Sequence, residues 1–278
     1  MATLALISLT APETAAAADL RAETIQAWQD YVKAVDARSE MRVAGGEMLG
    51  GAGKLQNGQV IVSPVGKEPN EVPSGLIHDW TGATFIPNTR IPAVLSVVRD
   101  YAHFKDFYRP FVVEAEVTHT TAEEDCFSMV LANKSLVLKG ALDGEFRSRY
   151  KRLDDHRWLS VTDATRIREI ADFGGPTQHA LPEDHGTGLI WRLHSIARFE
   201  ERAGGVYIEL EVVALSRNIP AALRWFIEPL VRRTSRSSLA TSLKQTADAV
   251  HSSGHPITRA SKPSSSGTRT VDYTNDQQ

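Results

Sequence analysis

Residues 206–225 read Val206-Tyr207-Ile208-Glu209-Leu210-Glu211-Val212-Val213-Ala214-Leu215-Ser216-Arg217-Asn218-Ile219-Pro220-Ala221-Ala222-Leu223-Arg224-Trp225. Val206, Ile208, Leu210 and Val212 alternate with Tyr207, Glu209 and Glu211, the period of a strand with one apolar face. The simpler assignment is that this apolar set meets the core while Glu209 and Glu211 face solvent. The alternative is a carboxylate pair in a cavity. Asn218 is a helix-capping residue, and Pro220 fits a first turn, where a missing N–H is harmless. A helix is predicted from Ile219 to about Val250, with Leu223, Phe226, Ile227, Leu230 and Val231 as an apolar face that Leu239, Leu243 and Val250 continue. Pro229 lies inside it and is expected to kink or split it.

Working back, Gly204-Gly205 is a hairpin turn, preceded by a strand in which Leu189, Trp191, Leu193, Ala197 and Phe199 alternate with Arg192, His194, Arg198 and Glu200. From Phe111 to Glu169 the period is also two, with Val113, Ala115 and Val117, then Phe127, Met129 and Leu131, then Phe146, Ser148 and Tyr150. Arg157 to Glu169 reads as one more strand. Arg166 and Arg168 share a face with Trp158, Ser160, Thr162 and Ala164 by simple alternation, and acids on a neighbouring strand are their expected partners. The Gly-, Pro- and His-rich stretch from Ala171 to Gly186 reads as a long loop able to gate a site. Further back, Gly75 to Ile86 is a strand, and a short helix follows to about Tyr101, capped by Asn88 or Thr89 with Pro92 in its first turn. Leu20 to Arg42 is an amphipathic helix with Ile25, Trp28, Val32 and Val35 on one stripe. Gly45 to Gly53 is a glycine-dense loop, and Gln59 to Val62 a first strand.

One helix, a run of antiparallel strands and a long terminal helix make an α+β layout. The strands form a curved sheet whose inner face the terminal helix is long enough to cross. This order resembles the START-like helix-grip superfamily, also called SRPBCC, whose members include polyketide cyclases, coenzyme-Q-binding proteins and lipid-transfer domains. The resemblance rests on Asp79-Trp80-Thr81-Gly82-Ala83 with Phe85-Ile86-Pro87-Asn88, on Val98-Arg99-Asp100-Tyr101 with Phe107-Tyr108-Arg109-Pro110, and on the strand-to-helix passage quoted above. It covers roughly residues 75 to 250 and implies an elongated apolar cavity between sheet and helix. It supplies no universal catalytic motif, so no catalytic residue carries over.

The division that follows is residues 1–18 as a secretory leader, 19–74 as the N-terminal helix and a Gly/Pro-rich extension, 75–252 as the START-like domain, and 253–278 as a polar, disordered tail. Leu4 to Leu9 is a short apolar run and Ala15 to Ala18 a small-residue cleavage site, so the expectation is export to the periplasm or beyond, with the mature chain starting near Asp19. No basic residue precedes Leu4. Without cleavage the protein would be cytoplasmic.

The chain has 278 residues, 42% of them hydrophobic and 23% charged, with a net charge of −3. No basic excess points to nucleic acid. The single cysteine, Cys126, excludes an internal disulfide and reads as a small apolar side chain. No Gly-x-Ser-x-Gly elbow, complete phosphate loop or His-Glu-x-x-His is present. His179 and His185 flank Glu183-Asp184, but without the spacing of a zinc site. Neither a metal nor a cofactor is expected.

Aromatic and sulfur side chains on predicted inner faces are the candidate lining of a ligand cavity: Phe107, Tyr108, Met129, Tyr150, Trp191 and Trp225. The expected function is binding or transport of a hydrophobic small molecule (a lipid, a quinone or a polyketide-like compound). A membrane surface is a partner during ligand exchange, to which Arg224, Arg232, Arg233 and Arg236 could turn. The competing expectations are a cyclase or aromatase on the same fold, and a packed protein acting through surface contacts.

Overall fold

The computed structural model describes residues 20–50, 55–56, 58–134 and 139–253. The leader assigned to 1–18 and the tail beyond 253 lie outside them. Helix α1 (Ala22–Ala44) is followed by strands β1 (Val60–Pro64), β2 (Asn70–Val72) and β3 (Gly75–Pro87). Then come α2 (Ile91–Val98), a 3₁₀ turn (Tyr101–His103) and α3 (Phe104–Phe107). Strands β4 (Val112–Thr120), β5 (Glu124–Lys134), β6 (Lys139–Arg152), β7 (Arg157–Ala171), β8 (His179–Ala180), β9 (Arg192–Arg202) and β10 (Gly205–Arg217) lead into α4 (Ala221–Ser253).

The ten strands form one curved sheet in the order β1-β3-β10-β9-β7-β6-β5-β4, with β2 added to β3 and β8 to β7. Every pairing is antiparallel. β10 is an interior strand, paired with β3 along Val206↔Ile86 to Leu215↔Ile77 and with β9 along Val206↔Glu201 to Leu215↔Arg192. The quoted stretch is thus an interior strand of the sheet and leads directly into α4. β1 and β2 belong to this same sheet, so the Gly/Pro-rich extension is built into the domain.

Paired residues of an antiparallel ladder share a face. On the concave face Trp80, Ile86, Phe199, Val206 and Ile208 pack with Leu239, Leu243, Ala249 and Val250 of α4 and with Ile91, Val94 and Val97 of α2. Gly82 is needed there, because a Cβ on it would come within 2.7 Å of Leu243 Cδ1. At this point helix and strand touch with no space between them.

Three sequence expectations change. α2 is not capped by Asn88 or Thr89; its N-cap is Arg90, without a side-chain bond. The Ile91 N–H is met by Glu201 Oε2 at 3.1 Å, from the β9–β10 hairpin. α4 is unbroken at Pro229. Pro229 removes a donor from the carbonyl of Trp225, whose side chain is 78% exposed, so water can satisfy that turn. The first turns of α4 are also not packed: Leu223 and Phe226 are 50% and 59% exposed, and the buried stripe begins at Leu239.

Candidate functional site

The concave face is divided. α4 covers β1 and β3, while the half built from β5, β6, β7 and β9 is roofed by the aromatic segment from Tyr101 to Tyr108. Tyr101, Phe104, Val112, Phe127 and Phe146 form the buried part of this second cluster. Phe107, Tyr108, Met129, Leu131, Ala164 and Leu193 are half-buried against it. Rings of Tyr101 and Phe127 stack at 4.1 Å, and those of Phe127 and Phe146 at 5.4 Å. Tyr108 Oη meets Thr246 Oγ1 at 3.1 Å and so ties α3 to α4.

The polar groups of this half engage one another. Arg99 donates Nε and Nη2 to the Asp125 carboxylate at 2.8 and 2.7 Å. Tyr101 donates to Asp125 Oδ2 at 3.0 Å, and its oxygen lies 3.2 Å from that of Tyr150. The Arg99 guanidinium covers the Tyr150 ring at 4.5 Å. Burial raises both phenols, and the neighbouring Asp125 charge adds to it. Burial would raise Asp125, but its bonds from Arg99, Thr120 and Tyr101 outweigh that and hold it low. Two protonated phenols and one fixed carboxylate suit a rigid wall.

Four of the six candidate lining residues, Phe107, Tyr108, Met129 and Tyr150, therefore stand on or beside this concave aromatic cluster. The other two do not. Trp191 is buried on the opposite face, with Trp28, Val35, Ile77, Ile196, Val213 and Leu215. Its backbone lies ahead of β9, where alternation gives no face. Trp225 points outward from the first turns of α4, stacked edge-on with Phe226 at 5.8 Å.

The opposite, convex face carries what the sequence reading missed. α1 lies across it, and Glu209 and Glu211 are buried beneath α1 at 4% and 2% exposure. They face neither solvent nor the concave cavity. Arg198, fully buried, donates Nη1 to Glu209 at 3.2 Å and Nη2 to Glu211 at 3.0 Å. From α1, Arg42 reaches Glu209 at 2.7 Å, Arg38 binds Glu211, and Arg38 and Tyr31 donate to Asp79 Oδ2 at 3.3 and 2.9 Å. The Gly50 N–H donates to Glu209 Oε2 at 2.9 Å. Beside them His194 Nδ1 lies 2.7 Å from Asp163, and Nε2 lies 3.2 Å from Asp36 without hydrogen-bond alignment. The available signal was that α1's own polar side carries Tyr31, Asp36, Arg38 and Arg42, complementary to the charges of β3, β9 and β10.

Arg166 and Arg168 also sit on the convex face. The β6–β7 register steps between Glu145 and Phe146, so Phe146 pairs with Ala164 but Glu145 pairs with Arg166 and Asp143 with Arg168. A bulge at Thr165 shifts the alternation, and both arginines bind the acids opposite them. The neighbouring-strand acids expected for them are the ones found.

Among the described residues no group of three or more His, Cys, Asp or Glu side chains is placed to hold a metal ion. No helix there is long and apolar enough to cross a membrane.

No protein-family model matches the chain, and no curated protein matches it. Solved structures do. A STAR-related lipid transfer protein from Xanthomonas axonopodis superposes with a TM-score of 0.48 at 16% identity, over 68% of this chain and 98% of the other. A Streptomyces aromatase/cyclase gives 0.41 at 11% identity, over 64% and 98%. A human lipid transfer and protein localization domain gives 0.41 at 8% identity, over 83% and 98%.

Proposed function

We propose that the chain binds a hydrophobic small molecule, of the lipid, quinone or polyketide-like class, on the concave face between β5, β7, β9 and α3. The observation that supports this is the half-buried apolar set of Met129, Leu131, Ala164 and Leu193 beneath Phe107 and Tyr108. Apolar atoms left part-wet beside a stacked aromatic wall gain free energy when a ligand covers them. The role is binding or transport, since the local acid and phenols are engaged with one another.

The reading includes ligand exchange at an anionic membrane surface. Leu223, Trp225 and Phe226 project from the start of α4, in a helix that also carries Arg233 and Arg236, while Arg224 is held by Glu71 and Arg232 by the Glu68 carbonyl. An apolar and aromatic tip with arginines suits the boundary between headgroups and acyl chains.

A thermal-shift screen with fatty acids, quinones, sterols and polyketide aromatics tests the binding. A ligand at a thousand times its Kd adds about 4 kcal/mol to stability. Ala164→Trp, which fills the concave space, should remove the shift while leaving the circular dichroism spectrum intact. A screen in which no hydrophobic compound raises the melting temperature would rule the reading out.

A further inference from the structure

We propose that the crevice between α1 and the convex face is a second ligand site, for a small amphipathic carboxylate. It lies on the other side of the sheet from the concave site and does not depend on the reading given above.

The apolar contacts under α1 fall into two clusters. One gathers Trp28, Val35, Ile196 and Val213, and the other Met48, Leu49, Ala83 and Tyr207. Beside them, where α1 passes over β6 and β7, lies a crevice of about 460 Å³. That volume falls within the roughly 300–1,000 Å³ of small-molecule sites. Its floor is Leu159, Val161 and Ile196, and Val43 and Leu153 close its end. A contiguous apolar floor of this kind receives an apolar body.

The polar side chains set the head group. Ser39, on the α1 wall, is 3% exposed, and its hydroxyl has no hydrogen-bond partner. A buried hydroxyl left unpaired carries an uncompensated desolvation cost, which a ligand oxygen would offset. Across the mouth, β6 supplies Arg149 and Lys151. Arg149 is held by Asp163 at 2.6 Å, whereas Lys151 is exposed and no carboxylate pairs with it among the described residues. On the α1 lip Asp36 faces His194, 3.2 Å away, and Glu40 is an exposed opposing charge. A ligand with a hydrocarbon body and one carboxylate would cover the floor, accept from Ser39 and neutralise Lys151.

The test is calorimetry with decanoate, decan-1-ol and decylamine on the full chain carrying Ala164→Trp, which closes the concave site. Decanoate should bind one to one, and the alcohol and amine at least tenfold more weakly. Adding Lys151→Glu should weaken decanoate at least tenfold. Adding Ala44→Trp, at the exposed end of α1 that borders the crevice, should abolish binding without lowering the melting temperature. The proposal is overturned if the three head groups bind alike, or if decanoate binding survives both added variants. It is also overturned if Ala164→Trp protein binds nothing up to millimolar concentration. If wild type binds decanoate under the same conditions, that last result places the ligand on the concave face and supports the functional reading. If wild type is silent too, the crevice holds only water.

Discussion

Arg198 Nη2 donates to Glu211 Oε2 at 3.0 Å in a place where neither residue has more than 2% of its surface in water. The pair belongs to a network of three guanidiniums and three carboxylates, Arg38, Arg42 and Arg198 with Asp79, Glu209 and Glu211. This network is how α1 is keyed to the sheet, since it fixes which turn of the helix sits over which strand.

Removing one partner of a buried ion pair strands the other charge and costs about 3–5 kcal/mol. Glu211→Gln should therefore lose that amount in urea denaturation at pH 7, out of a typical total of about 5–15 kcal/mol. Glu145→Gln breaks the half-exposed pair with Arg166 on the same face and should cost below about 1 kcal/mol. Equal losses in the two variants would show that water reaches the network.

Stability should fall as the solution is made alkaline. Burial works to lower the His194 pKa, but Asp163 and Asp36 outweigh it and raise it to about 9. A raised folded-state pKa means that the native protein holds a proton the unfolded chain has released. The contribution is complete below about pH 6.5 and is lost as pH rises through about 9. Asp79 behaves alike at lower pH: burial, then the neighbouring Glu211 charge, lift it to about 6, so stability also declines between about pH 4 and 6. Melting temperatures of wild type and His194→Gln should diverge below pH 7 and converge near pH 9. Parallel curves would mean that His194 does not titrate with folding.

The two halves of α4 should respond differently to the same substitution. Leu243 is 2% exposed and seated on Gly82, so Leu243→Asp buries an unpaired carboxylate and should unfold the domain. Leu223→Asp, at a half-exposed position, should stay within about 0.5 kcal/mol of wild type. A severe loss from Leu223→Asp would mean that the first turns of α4 are covered in solution.

Those first turns carry the membrane prediction. Wild-type protein should cosediment with vesicles containing phosphatidylserine and much less with neutral ones. Trp225→Ala/Phe226→Ala should reduce the anionic binding several-fold, and added salt should weaken it, because charge attraction is screened. Binding that is indifferent to both changes would place the contact elsewhere.

Period and punctuation determined most of the secondary structure. Alternation located β4, β5, β6, β7, β9 and β10, Gly204-Gly205 marked the β9–β10 hairpin, and the switch to helical spacing after Pro220 marked α4. These signals are local, and a residue's neighbours in sequence carry them. The tertiary structure decided which face each pattern meets. Glu209 and Glu211 read as solvent-facing because alternation separates two faces without saying that α1 covers the second. Trp191 read as inner-facing by extending the alternation of Leu193, Ala197 and Phe199, but β9 begins only at Arg192 and the chain before it turns Trp191 to the convex face. Arg166 changed sides through a one-residue bulge that leaves no mark in composition. Leu223 and Phe226 lie about 160° and about 140° around α4 from Leu239 at 3.6 residues per turn, so the apolar face of the first turns points away from the sheet on which Leu239 is buried. The α1 crevice is the least legible of all, since it is bounded by α1, β6 and β7, segments far apart in sequence.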